Sequence, residues 1–184
     1  NQFEVARILF SQAKLPRISS FLCSVDHPSY QTKRELMAPF LNKKHVTFDE
    51  LPIELAYHLS LLEVMSACTV GKLNITSVEA KIQSVFSYTD IINGIMDPHA
   101  MTLVKIRLAF HLLNAVIEVE IKIPGFDQIE IIWTFIFYIF KELSNAKEEF
   151  MLFDQYGWDQ NNKDKSVGRQ RIEYLLLLMF IIGG

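Results

Sequence analysis

Three side chains capable of chemistry sit inside one apolar run of this chain. In LAYHLSLLEVMSACTVGK, residues 55–72, they are a base, His58, a carboxylate, Glu63, and a thiol, Cys68. A thiol beside a histidine that a carboxylate orients is the constellation of a nucleophilic enzyme. On a helix each residue turns the chain by about 100°. His58 to Glu63 and Glu63 to Cys68 are steps of five residues, so each rotates about 140°. The three cannot converge from this helix alone, and a site would need a group from another helix, such as His111. Packing is the plainer account. Leu55, Leu59 and Leu62 line one face, and Leu61, Val64 and Met65 widen it. Cys68 then serves as a small core residue, with His58 and Glu63 at the edge.

Other chemical signals are weaker. The segment DQNNKDKSVGRQ, from Asp159, resembles a calcium loop only in its density of oxygen ligands. The glycine needed at the sixth place is Asp164, and Lys163 stands where an oxygen should be, so a solvated loop is expected. Lys33, Arg34, Lys43 and Lys44 are too scattered for a polyphosphate pocket, which needs converging cations. The triplet NIT at 74–76 matches a glycosylation acceptor, a pattern that also recurs without use. Trp133, Phe135, Phe137, Tyr138 and Phe140 read as core. No metalloprotease, dinucleotide, P-loop or nucleophile-elbow motif is present. No catalytic, cofactor or metal residue is therefore assigned.

The elements that hold these residues read as helices. Seven glycines and six prolines in 184 residues are too few turns for an all-β chain. Half the residues are apolar and 21% are charged, a globular balance. The net charge of -3 carries no basic field for nucleic acid. Two cysteines without a short spacing suit a reducing compartment rather than a disulfide framework. The apolar runs at 131–140 and 174–182 are shorter than the roughly 20 residues of a membrane span, so no direct membrane insertion is expected.

Helices are expected at 3–13, at 16–25 and from Tyr30 up to Pro39, which should kink or end the third. Asp49 reads as the cap of a longer one that runs to about Val70 and stops at Gly71. Two short helices follow, TSVEAKIQSVF and YTDIINGIM. A long one spans 100–120, with Arg107, His111, Asn114 and Glu118 at spacings of four, three and four: a solvent stripe on a buried cylinder. KIPGF ends it. Residues 127–146 form the next helix, YGWDQNNKDKSVG a loop, and RQRIEYLLLLMFII the last helix. Helices 104–119 and 128–143 are apolar on most faces, so each is expected to be covered on two sides. This predicts an all-α chain, a single helical domain over 1–184, stacked as an armadillo-like solenoid of antiparallel helices. The chain opens and closes in mid-pattern, which reads as a domain cut from a longer polypeptide.

Residues 54–143 carry a resemblance. Tyr57-His58, Leu62-Glu63 and the ending Ala67-Cys68-Thr69-Val70-Gly71-Lys72 resemble a helix of the inositol trisphosphate receptor family. The order continues through Glu79, Lys81, Ser84, Asp90 and Ile91. It runs on through Val104-Lys105-Ile106, Leu113-Asn114 and Glu118-Val119-Glu120 to Trp133 and Phe137. The region is similar to the homology domain that ryanodine and inositol trisphosphate receptors share. The resemblance implies a non-catalytic regulatory module of a ligand-gated calcium-release channel, on the cytosolic side of the endoplasmic reticulum membrane. Its partners would be neighbouring domains of the same polypeptide and adjacent subunits of a tetramer. The family's phosphate-binding and pore residues fall elsewhere, so none is carried over. The alternative expectation is a free-standing helical adaptor that binds a protein or peptide.

Overall fold

The structure is a computed structural model. It describes residues 46–51, 53–70, 76–98, 100–119, 123–125, 128–156 and 162–183. The expected helices before residue 46 lie outside these residues. So do Cys23, the four basic residues at 33–44, the stop at Gly71 and Asn74. Every described element is helical.

Thr47, not Asp49, begins the first element. Its N–H donates to the Glu50 carboxylate at 2.9 Å, and the Glu50 N–H donates to the Thr47 carbonyl at 3.1 Å. This closes a single 3-10 turn, Phe48–Glu50. Pro52 permits no helix through the residue before it, so α1 starts afresh and spans Ile53–Ala67. Next come α2 (Thr76–Val85) and α3 (Tyr88–Met96), the latter capped by the Ser87 side chain, which accepts from the Thr89 N–H. The turn at Asp97 closes with the Ala100 N–H on the Asp97 carbonyl.

The long helix expected over 100–120 is two structures. α4 spans Thr102–Leu112, and a π-helical turn spans Leu113–Ile117. The Glu118 N–H reaches back five residues to the Leu113 carbonyl, at 2.8 Å. Gly125 has φ of 66°, a conformation open to glycine at little steric cost, and turns the chain back. α5 then runs Glu130–Tyr156, ten residues beyond the expected end at Ala146. α6 spans Asn162–Gly183. It takes in half of the segment read as a loop, and with it the calcium-loop likeness. One glycine inside a helix costs only about 1 kcal/mol, so Gly168 did not have to stop it.

α4 is the centre of the fold. It packs on α6, α3 and α1, and Ile106, Leu108, Ala109 and Leu112 are almost fully buried. Gly94 brings α3 close to it: a Cβ there would stand 2.8 Å from Leu108 Cδ1. The two-sided cover expected of this helix is present. For α5 it is not. Phe135 and Ile139 are buried and Tyr138 is half-buried, but Trp133, Phe137 and Phe140 are 52%, 72% and 56% exposed. The reading of that aromatic set as core holds for one face of α5 only.

Candidate functional site

The residues read as a solvent stripe on α4 are the polar heart of the molecule. His111 and Asn114 are buried, at 1% and 7% exposure. Arg107 is partly covered, and only Glu118 is exposed. Arg107 and His111 face α1 instead of water. Arg107 meets the Glu63 carboxylate at 2.6 Å, and His111 Nδ1 lies 2.7 Å from Ser66 Oγ. Glu63 and Ser66 are three apart on α1, and Arg107 and His111 are four apart on α4. The two pairs therefore set α1 and α4 side by side, pointing the same way. Asn114 turns its amide to its own helix, donating to the Phe110 carbonyl at 2.8 Å.

A serine against a histidine is the start of a nucleophile–base pair. The hydrogen-bond pattern here assigns the protons differently. Ser66 Oγ donates to the Leu62 carbonyl at 2.7 Å. With its one proton spent, it accepts from His111 Nδ1–H. The imidazole proton points at the serine, so the ring cannot take the serine's. Burial holds the His111 pKa down to about 4, against a small opposing effect of the Leu62 carbonyl, so the ring is neutral at ordinary pH. The edge of Phe86 closes over it at 5.7 Å between ring centres. Ser66 is fully buried. The pair is a sealed bridge between two helices.

Of the three residues in the opening question, none meets another. Glu63 pairs with Arg107 on α4, and His58 packs edge-on against Tyr57 at 5.6 Å between ring centres. Cys68 is half-buried beyond the end of α1, and burial pushes its thiol pKa up, which disfavours the thiolate. The described residues contain no group of three or more side chains fit to hold a metal ion. They also contain no helix long and apolar enough to cross a membrane.

A second polar cluster, not anticipated from the sequence, joins α3, α4, α5 and α6. Tyr138 donates to the Ile95 carbonyl at 3.3 Å. Its oxygen then has two lone pairs to offer. Lys105 Nζ donates to it at 3.1 Å, and the Tyr174 hydroxyl lies 3.0 Å away. Burial first, and then the neighbouring Tyr138, push the Tyr174 pKa up, so it stays protonated and donates. Arg171 lies over the Tyr174 ring and bonds Glu142 at 2.8 Å. These contacts run α5 and α6 antiparallel, with 138 opposite 174 and 142 opposite 171. The cations of this cluster are committed to neighbours inside the fold.

Among the described residues, large apolar side chains are also exposed on α5 and α6. Trp133, Phe137 and Phe140 recur at four and three residues along α5, and Ile172, Leu176, Met179 and Phe180 form an exposed stripe on α6. Beside them an apolar crevice of about 180 Å³ enters the core between α3, the π turn, α5 and α6. Compared with models of protein families, with curated proteins and with solved structures, the chain matches none.

Proposed function

We propose that this chain is a non-catalytic helical coupling module of a ligand-gated calcium-release channel, similar to inositol trisphosphate receptors. It would act on the cytosolic side of the endoplasmic reticulum membrane. The resemblance over residues 54–143 supplies the family. The observation that carries the interaction role is the exposed aromatic stripe of α5. Large apolar side chains at helical spacing are the surface that a further helical layer covers. Such a layer would come from a neighbouring domain of the same polypeptide or from an adjacent subunit of a tetramer. An armadillo-like stack is supported by α1 and α4: they stand three helices apart, lie in contact and point the same way, as equivalent helices of successive three-helix units do. In this role the Glu63–Arg107 and Ser66–His111 bridges keep the layers in register, so that a displacement at one end of the stack moves the other.

The test is a photo-crosslinking residue at Phe137 in the full natural polypeptide, irradiated in cells. Crosslinks within the polypeptide, or between like subunits, support the proposal. Crosslinks confined to a different polypeptide overturn it in favour of a free-standing adaptor that binds a protein partner.

A further inference from the structure

We propose that the crevice between α3, the π turn, α5 and α6 is a binding site for a small, uncharged, apolar molecule of about benzene's size. The inference does not depend on the coupling role above. The space has a volume of about 180 Å³. A protein cavity of about 150 Å³ with aliphatic and aromatic walls stays dry and takes up benzene. The walls here are of that kind. Ile92 comes from α3, Ile117 from the π turn, Ile136 and Ile139 from α5 and Ile181 from α6, and every other lining side chain is apolar as well. A water inside needs two to four polar partners, and the lining is apolar but for a small share of backbone polar surface. An apolar occupant gains the contacts that the walls lack. A charged or hydrogen-bonding ligand would bury its polar group unpaired, which is costly. Size and chemistry thus select the same class of molecule.

Access and mobility are also provided. Ile92 and Ile139 at the inner end are fully buried, whereas Phe140 and Ile182 at the outer end are 56% and 41% exposed. The crevice therefore runs from the core to the surface. Leu112 and Ile117 on its wall bracket the place where α4 leaves α geometry, and such π turns recur at functional sites.

Titration of the full chain, labelled at its isoleucine methyls, with benzene tests the site. The expected result is saturable shifts at Ile92, Ile136 and Ile139, with a dissociation constant on the order of 1 mM. Phenol should bind at least about tenfold more weakly, because its hydroxyl finds no partner. Ile182→Trp blocks the mouth from an exposed position and should abolish the shifts. Ile136→Phe fills the space from within and should do the same. Shifts that rise linearly without saturation overturn the proposal. So do shifts that spread equally to the exposed Ile53 and Ile172, or an affinity that survives both substitutions in folded protein.

Discussion

His111 shows what a single buried base does to a fold. Folded, it stays neutral down to about pH 4; unfolded, it titrates near 6.5. Between those values the unfolded chain holds the extra proton. Stability should therefore fall as pH drops from about 6.5 towards 4, and the full shift is worth roughly 3 kcal/mol. Urea denaturation near neutral pH and again near pH 4.5 measures the loss, and His111→Gln should remove that part of it. A variant with the same pH dependence as the natural chain would contradict the sealed bridge. Cys68 offers a second measurement. Its half-buried thiol, with the pKa raised, should react with a thiol probe more slowly in the folded protein than after denaturation. Cys23→Ser isolates that signal. At this scale the sequence was half legible. The polar spacing on α4 was visible, but its direction was not. Whether a stripe faces water or another helix depends on what stands opposite, and nothing local tied Glu63 and Ser66 to Arg107 and His111.

At the scale of the helix, apolar faces divide into those that are covered and those that are not. Leu59 is buried in α1, and Phe137 and Glu118 are exposed. Leu59→Ala should cost about 2–5 kcal/mol by leaving a cavity. Phe137→Ala and Glu118→Ala should each change stability by less than about 0.5 kcal/mol. Chemical denaturation of the three variants ranks them, and a large loss for Phe137 would mean that its face is covered within the chain. Periodicity located Thr76–Val85 and Tyr88–Met96, the second of which also carries a serine cap at Ser87. It could not find the π turn, since Leu113–Ile117 has no glycine, proline or charge to mark it. It could not separate the two faces of α5 either, because Phe135 and Phe137 are chemically alike and only packing distinguishes them.

For the whole molecule, the exposed stripes on α5 and α6 imply association. Surface of this kind on an isolated chain finds itself when nothing else covers it. Sedimentation should show concentration-dependent self-association of this chain, and Phe137→Glu should reduce it without lowering the unfolding midpoint. A chain that stays monomeric at high concentration would count against α5 as a contact surface. The all-α character was legible from the scarcity of turn residues and the helical spacing of the apolar ones. The gathering of α1, α3 and α6 around α4 was not, since it depends on contacts far apart in sequence, among them the pair Glu63–Arg107.

The π turn also bears on how such a chain can change over generations. A turn closed over five residues instead of four holds one residue more than the α-helix needs. Losing a residue from Leu113–Ile117 would let α4 run on as an ordinary helix, with the chain beyond it still in phase. The same loss at Lys105 or Ile106 would rotate every later side chain by about 100° and turn Arg107 and His111 away from their partners on α1. Among relatives of this chain, single-residue gaps within the central helix should therefore fall at Leu113–Ile117, and the paired positions 63, 66, 107 and 111, all of which precede that turn, should keep their spacing.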